Sequence, residues 1–136
     1  MFKLINVNNV INYNKDNDNY EYNDLYYLMD DSDKNYVIGY GVIKYDDNIN
    51  DSANISCGIR KKDRNKGYGN LLLKLLLDEC RDRNMSNAYV TCLYEDLYSN
   101  KVVINNDGIS TKGFMDNNGK YNVKYEIKLK NKIRKL

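Results

Sequence analysis

Hydrophobic and polar positions along the chain form short β-type runs separated by polar turns, with one long helical run near the middle. Residues 36–45 and 53–60 are rich in β-branched side chains and follow the polar clusters 30–35 and 46–52, which predicts two strands joined by turns. Residues 70–80 consist mainly of leucine and other unbranched helix formers, apolar around most of the helix circumference. That run predicts a largely buried helix lying across a sheet face.

The segment after this helix predicts another strand and a second, shorter helix. In residues 88–93, Ala88, Val90 and Cys92 alternate with Tyr89, Thr91 and Leu93, as expected for a strand with both faces covered. Residues 99–106 predict a short helix, with Ser99 as its N-cap and Gly108 near its C-terminal end.

The two ends of the chain carry strand signals of different strength. Residues 109–115 and 121–129 predict a hairpin, and Asn118-Gly119 between them suits a primed turn. Residues 2–7 predict a first short strand, whereas the Asn- and Asp-rich residues 8–23 predict a loop with at most a poorly formed helical turn. Leu25 begins a short apolar and aromatic run that leads into the first turn cluster.

These elements together predict a single mixed α/β domain. Strands come first, then a strand–helix–strand–helix series, then the hairpin, so we expect a mostly antiparallel central sheet of about six or seven strands. The βαβ crossover starts at a glycine loop near residue 67. The domain covers residues 1–136, with a poorly defined N-terminal part at 1–24 and a core at 36–129.

Composition narrows the chemistry that the domain can perform. The chain has no histidine, which excludes His-based hydrolases and most zinc enzymes, so we expect no metal cofactor. Its three cysteines have no metal-type spacing and, with no signal-peptide pattern and no membrane span, predict reduced thiols in a cytoplasmic protein. A formal net charge of +2 argues against nucleic-acid binding, and the wealth of Asn, Lys, Ile and Tyr indicates a bacterial genome rich in A and T.

The segment Arg64-Asn65-Lys66-Gly67-Tyr68-Gly69 carries the clearest chemical signal. Two glycines between a strand and a helix let the backbone approach a ligand, and the first amides of the helix have no intrahelical acceptor. With Arg64 and Lys66 beside them, these amides predict a pyrophosphate site. A Rossmann loop would need glycine in place of Leu72, and a P-loop would need Gly-Lys-Ser/Thr. The remaining alternative is two glycines that only turn the chain into the helix.

The loop and its flanking residues resemble the GNAT superfamily of acyl-CoA-dependent N-acetyltransferases. The superfamily motif Arg/Gln-x-x-Gly-x-Gly/Ala is matched by Arg64, Gly67 and Gly69. The resemblance covers roughly residues 37–129 and includes several further motifs in register. These are Gly58-Ile59-Arg60, the leucine helix ending in Glu79, Val90-Thr91-Cys92, Ser99-Asn100-Lys101-Val102-Val103 and Asn106-Asp107-Gly108.

The resemblance implies binding of acetyl-CoA as co-substrate by a defined set of residues. The backbone of Gly58 and Ile59 should pair with the pantetheine arm like an added strand, with the Ile59 N–H polarising the thioester carbonyl. The amides of residues 65–70 should hold the pyrophosphate, with Arg64 near the phosphates. The cofactor-binding residues so implied are Gly58, Ile59, Arg60, Arg64, Asn65, Lys66, Gly67, Tyr68, Gly69, Asn70, Asp96 and Ser99. Tyr68 itself is expected to pack its ring against the sheet.

The catalytic residues are less well defined because two family positions differ here. Asp96 stands where many members have an Asn that binds the cofactor arm, and Val103 stands where many have a Tyr that protonates the departing thiolate. The substitutes for that Tyr are Ser99, Tyr98, Tyr94 or water, and Glu95 and Asp96 are the candidate bases for the amine.

The acceptor side of the site is predicted to be thinly covered. The segment before Leu25 is short for the two helices that usually roof the acceptor site in this family. The acceptor pocket is therefore expected to be open or to be completed by a second subunit in a homodimer. The basic residues 128–136 are interpreted as a solvated strand end in preference to an RNA contact.

Two functions follow from the resemblance. The first is an N-acetyltransferase that moves an acetyl group from acetyl-CoA to a primary amine, a small molecule or a peptide, by direct attack in a ternary complex. The second is a catalytically idle domain of the same fold that binds or senses acyl-CoA. A basic nucleic-acid-binding domain is a third reading and would require tight, salt-sensitive RNA binding.

Overall fold

The fold is a seven-stranded sheet with two α-helices, in a computed structural model that describes residues 2–14, 19–30, 32, 36–46 and 51–129. For residues 8–14, 19–23 and 46 the backbone alone is described. The strands are β1 (Phe2–Asn14), β2 (Asn19–Asp30), β3 (Tyr36–Asp46), β4 (Ser52–Ile59), β5 (Asn87–Leu93), β6 (Ile109–Met115) and β7 (Tyr121–Lys128). The helices are α1 (Tyr68–Asp82) and α2 (Leu97–Asn105), and a 3-10 turn at Lys61–Asp63 precedes α1.

The strand order confirms the predicted fold class. The strands lie in the order β1-β2-β3-β4-β5-β7-β6, and neighbours are antiparallel except β4 and β5, which run parallel. Helix α1 is the crossover between these two parallel strands, so the predicted βαβ unit begins at the glycine loop. None of the helices in the described ranges is long and apolar enough to cross a membrane.

The leucine helix forms the centre of the core on what we call the inner face, the sheet face covered by α1 and α2. Leu72, Leu73 and Leu76 are fully buried and belong to one cluster with Ile43 and other apolar strand residues. Helix α1 approaches β3 closely because Gly41 has no side chain. A Cβ built on Gly41 would lie 2.5 Å from Leu76 Cδ1, closer than real Cβ atoms pack.

The N-terminal part differs from its prediction. The loop predicted for residues 8–23 is instead the middle of a hairpin, because β1 continues to Asn14 and β2 begins at Asn19. The backbone register pairs Ile11 with Tyr22 and Tyr13 with Tyr20, so β-branched and aromatic residues alternate with the asparagines. Ladder hydrogen bonds in this long antiparallel pair outweigh the turn preference of the individual asparagines.

Two local details also differ from their predictions. The N-cap of α2 is Asp96 and not Ser99, because the Asp96 carboxylate accepts the Ser99 N–H at 3.1 Å. The β6–β7 turn has a positive φ, +75°, at Gly119 alone, whereas a primed turn would also need one at Asn118. Asp116 stabilises the turn by accepting the backbone N–H groups of Asn118 and Lys120.

Candidate active site

A cleft opens in the sheet where the two parallel strands separate. Pairing between β4 and β5 ends at Ile55 and Val90, yet β4 continues to Ile59 and β5 to Leu93. The resulting cleft has a volume of ≈ 540 Å³ and reaches from the sheet to the N-terminus of α1. A volume of this size is typical of a small-molecule site.

The cleft-facing edge of β4 offers backbone hydrogen-bonding groups at alternate residues. Arg60 donates its N–H to the Ile38 carbonyl on β3 at 2.9 Å, and the β3–β4 register has no bulge. Backbone groups alternate between the two sides of an antiparallel strand, so those of Cys57 and Ile59 face the cleft. Those of Gly58 face β3, so the backbone pairing predicted for Gly58 is available at Cys57 instead.

Ile59 and Arg64 are joined at the end of this edge. The Arg64 Nε donates to the Ile59 carbonyl at 3.1 Å, which agrees with the direction deduced for the Ile59 backbone. This hydrogen bond holds the exposed Arg64 side chain against the wall of the cleft, where Asn65 also lies. Two donors, the Ile59 N–H and the guanidinium, therefore flank the same end of the cleft.

The glycine loop presents unpaired amides at the start of α1. Gly67 is the N-cap, its φ is +84°, and no side chain caps the helix. A Cβ built on Gly67 would meet nothing within 4 Å, so the space beside the loop is open. The first intrahelical hydrogen bond to Gly67 comes from the Leu71 N–H at 3.2 Å, which leaves the amides before it free of helical acceptors. Such a helix start favours an anion.

The other predicted loop residues have distinct surroundings. The Lys66 ammonium lies 3.9 Å from the Asp63 carboxylate, and Asp63 is buried and accepts the Tyr36 hydroxyl at 2.8 Å. The Tyr68 ring packs edge-on against Phe2 of β1, with ring centroids 5.1 Å apart, which confirms the expected packing of that ring against the sheet. The Asn70 side chain accepts a hydrogen bond from Asn106 at 3.3 Å and so joins the first turn of α1 to the end of α2.

Arg60 lies away from the cleft, contrary to the role predicted for it. Its guanidinium carbon lies 5.4 Å from the centre of the Tyr36 ring, and Arg60 lines a separate hollow on the opposite sheet face. Consecutive residues at the end of a strand point to opposite sides, and Ile59 is the one directed inward. The cofactor contact predicted for Arg60 is therefore not supported.

The catalytic candidates on α2 are held in different ways. The Ser99 hydroxyl donates to the Asp96 carboxylate at 2.7 Å, so these two residues that line the cleft satisfy each other. The Tyr98 hydroxyl is buried and has no hydrogen-bond partner among the described residues. It lies beside Gly69, where a Cβ would be 2.6 Å from its oxygen. Val103, also on the cleft wall, is buried.

The two remaining candidates point elsewhere. Glu95 is exposed and lies 3.6 Å from the Lys120 ammonium, and it does not line the cleft. Tyr94 is 64% exposed and packs edge-on against Tyr121. Neither group is placed to exchange a proton inside the cleft in this arrangement.

Three residues of the site were missed by the sequence reasoning. Cys57 and Tyr40 line the cleft, and strand alternation applied to the β3–β4 register could have found both. Asn100 anchors α2 to the sheet, because its side chain donates to the Leu93 carbonyl at 2.9 Å and accepts the Tyr125 hydroxyl at 2.7 Å. No motif in the sequence indicated that role.

The cysteines in the cleft are poor nucleophiles at neutral pH. Burial is the main factor that raises the pKa of both Cys57 and Cys92 to about 11. Both thiols are therefore protonated at pH 7, and the thiolate is the nucleophilic form.

Solved structures of acetyltransferases share this fold. The chain resembles yncA from Salmonella typhimurium, determined with its cofactor acetyl-CoA, with 14% identity over 82% of this chain and 68% of that one and a TM-score of 0.67. It also resembles spermidine N-acetyltransferase from Vibrio cholerae, determined with CoA and spermine, with 15% identity over 79% of this chain and 66% of that one and a TM-score of 0.69. At such identities the likeness shows the fold, and this chain spans about two thirds of each structure.

The family follows from the sequence match. No curated protein matches the chain. The profile of the acetyltransferase (GNAT) family, however, matches residues 4–103, which include most of β1, strands β2 to β5, the glycine loop and most of α2. That match spans most of the chain and confirms the resemblance found in the motifs, so the chain belongs to the acetyltransferase (GNAT) family.

Proposed function

We propose that the protein is an N-acetyltransferase that moves an acetyl group from acetyl-CoA to a primary amine by direct attack in a ternary complex. One observation carries the proposal. The cleft between β4 and β5 reaches Asn65 and Gly69, on either side of the open turn at Gly67, and the Ile59 N–H faces into the cleft. When bound, acetyl-CoA would supply the acetyl group as a reactive thioester.

The described residues suit two parts of the cofactor, the pyrophosphate and the pantetheine arm. The amides at the start of α1 and the Arg64 guanidinium would hold the pyrophosphate. The cleft-facing backbone groups of Cys57 and Ile59 would bind the pantetheine arm as an added strand. The open space at Gly67 is the feature that allows a phosphate to approach the backbone.

The residues near the thioester favour direct transfer. Cys57 and Cys92 are held as neutral thiols, so neither is suited to accept the acetyl group before the amine does. The Ile59 N–H would stabilise negative charge that develops on the carbonyl oxygen during attack. Alignment of the amine and the thioester in the cleft would supply much of the remaining rate enhancement.

The candidate proton donors are Ser99, Tyr98 and Tyr94. Of these we assign Tyr98 as a residue that contacts the cofactor through its hydroxyl. Its hydroxyl is the buried one without a partner in the described part of the cleft, whereas the Ser99 hydroxyl is already donated to Asp96. A buried hydroxyl without a hydrogen-bond partner destabilises the folded state. A ligand that accepts a hydrogen bond from this hydroxyl would recover that free energy on binding. Glu95 and Tyr94 are directed away and are not assigned a role in catalysis.

A second candidate function is a catalytically idle domain that binds acyl-CoA. The observation in its favour is that Asp96 is used as a helix cap and Val103 is apolar and buried, so neither supplies the group found in many relatives. Release of CoA thiol in the presence of amines distinguishes the two functions, since an idle domain binds acetyl-CoA without turnover. Because all three cysteines are free, we place either form in a reducing cytoplasmic compartment.

The glycine loop provides the decisive test of the proposal. Gly67→Asp puts a negative charge and a strained φ at the proposed phosphate site, and we expect it to weaken acetyl-CoA binding at least about 100-fold by calorimetry. Gly119→Asp is the matched control, because Gly119 also has a positive φ and open space but lies in the β6–β7 turn. Equal affinity in the Gly67 variant and the wild type would refute the cofactor site.

A further inference from the structure

The sheet face opposite α1 and α2, which we call the outer face, carries a hollow beside the cleft. The hollow has a volume of ≈ 410 Å³ and is lined by Leu25, Tyr27, Val37, Gly39, Tyr40 and Arg60. Both helices pack on the inner face, and no helix of the described ranges covers this one.

Tyr40 connects the hollow to the cleft. It lines both, and its ring lies over Gly58, where a Cβ would be 3.0 Å from Tyr40 Cε1. The backbone of Ile59, next along the chain, faces the cleft. A molecule in the hollow would thus reach the proposed thioester position from the face opposite the helices. In the proposed complex the cofactor would occupy the side of the glycine loop, so an acceptor in the hollow would approach the thioester from the other side.

The chemistry of the hollow is apolar and aromatic with one positive charge. Arg60 is the one charged residue among the described residues that line the hollow, and none of those residues is a carboxylate. The Arg60 guanidinium stacks on the Tyr36 ring and forms no ion pair with a carboxylate in the described part of the chain. A stacked guanidinium keeps its hydrogen-bond donors available and can bind a carboxylate with two of them.

We infer that this outer-face hollow binds the acceptor, and that the acceptor is an amino acid with an apolar or aromatic side chain whose carboxylate pairs with Arg60. This inference rests on the proposed acetyltransferase function and names its substrate class. The side chain would pack against Leu25, Tyr27 and Val37, which leaves the amino group near Tyr40 and the cleft. A polyamine fits the hollow less well, because its charges would meet a cation and no carboxylate among the described lining residues.

Pairs of amines that differ only in the carboxylate test the inference. Phenylalanine and phenethylamine, or leucine and 3-methylbutylamine, are titrated by calorimetry into protein saturated with CoA, with spermidine as a third type of ligand. We expect each amino acid to bind at least about tenfold more tightly than its decarboxylated partner, since a charge-assisted bidentate pair is lost in the latter. The same ratio is expected in kcat/KM from thiol release.

Variants of Arg60 and Lys62 test which basic residue is responsible for the preference for a carboxylate. Arg60→Gln should reduce the preference for the carboxylate to less than about threefold and leave binding of the decarboxylated amines unchanged. Lys62→Gln is the matched control, because the Lys62 ammonium also lies over the Tyr36 ring, 4.9 Å from its centre, but does not line the hollow. That control should keep the full preference.

The outcomes separate this inference from the proposed function. If the protein turns over an amine, three results would overturn the inference about the acceptor and leave the proposed function in place. They are equal binding of both members of a pair, tighter binding of spermidine than of the amino acids, and an equal loss of affinity for both members in Arg60→Gln. Carboxylate-dependent binding without turnover of any amine would overturn the acetyltransferase proposal and leave the amino-acid site in place.

Discussion

Cys57 is one of two cysteines in the cleft at which a covalent mechanism could start, and it lines the cleft near Ile59. Because burial raises its pKa to about 11, we predict that its alkylation by iodoacetamide is half-maximal near pH 11 and not near the ordinary value of 9. Peptide mass spectrometry over a pH series measures this, with circular dichroism to verify the fold at each pH. Intact mass after incubation with acetyl-CoA alone should show no acetylated protein.

The opposite result at Cys57 would be equally clear. An alkylation midpoint near pH 7, together with an acetyl group on Cys57 that Cys57→Ser removes, would contradict direct attack and indicate a covalent intermediate. Cys80 serves as the internal comparison, because it is fully buried on α1 and its pKa is raised to about 12. We expect Cys80 to react more slowly than Cys57 at every pH.

At the residue scale, features that depend on residue type could be predicted from the sequence. Features that depend on strand register, such as the direction of a side chain, could not. The positive φ at Gly67 could be predicted because glycine adopts that conformation without strain, whereas its contact with a ligand stays a prediction. Arg60 was assigned to the cofactor because it adjoins Ile59, but strand alternation sends its side chain to the outer face. That direction follows from the pairing of β3 with β4, which a single sequence does not specify.

At the scale of elements, α1 and α2 meet where the Tyr98 hydroxyl lies beside Gly69. A Cβ at position 69 would be 2.6 Å from that oxygen, so we predict that Gly69→Ala destabilises the protein by about 1–2 kcal/mol in urea denaturation. Tyr98→Phe removes the oxygen and should recover part of the loss in the double variant. Additive effects of the two substitutions would show that these side chains do not meet.

Tyr98→Phe alone separates a packing role from a role in binding. The hydroxyl is buried without a partner in the described structure, so its removal should leave stability unchanged or slightly higher. If the hydroxyl contacts the cofactor as proposed, the same variant should bind acetyl-CoA about 5- to 10-fold more weakly by calorimetry. Unchanged affinity would leave Tyr98 a packing residue only.

Elements were predicted well where hydrophobic periodicity is strong and poorly where asparagine dominates. The leucine run gave α1 because it is long and apolar, and β3 and β4 followed from their β-branched residues. The β1–β2 hairpin was missed because Asn and Asp favour turns locally, whereas pairing over a long register overrides that preference. Local propensity cannot report a partner strand that lies elsewhere in the chain.

At the scale of the whole molecule, the fold class was predictable and the open outer face was expected only through the resemblance. The order of elements around the glycine loop indicates one sheet with a parallel crossover, whatever the details of the loops. Which face the helices leave uncovered depends on the hand of that crossover, and in the described ranges β1 and β2 are continuous strands. The hollow that we propose for the acceptor is a consequence of that global arrangement.

The stability of the whole domain should fall at alkaline pH, because several buried groups hold their protons in the folded state. Burial raises the pKa of Cys57 and Cys92 to about 11 and that of Cys80 and Tyr26 to about 12. A group whose pKa is higher in the folded state than in the unfolded state stabilises the fold fully at a pH below its unfolded-state pKa. This stabilisation is lost as the pH rises through the folded-state pKa. The contribution of these groups to the free energy of unfolding should thus be constant below about pH 8.5 and fall between about pH 9 and 12. Each group lowers the free energy of unfolding by at most about 1.4 kcal/mol per pH unit in that range.

Cys80→Ala tests the origin of this slope. The variant is expected to be less stable at pH 7 through lost packing, but its free energy of unfolding should fall less steeply between pH 9 and 11, because one buried proton is no longer involved. Urea denaturation at each pH measures the slope independently of the offset. Lys74→Ala is the control, since Lys74 is exposed on α1 and its loss should leave the slope unchanged. A slope in Cys80→Ala equal to that of the wild type would show that the thiol titrates alike in the folded and unfolded chains.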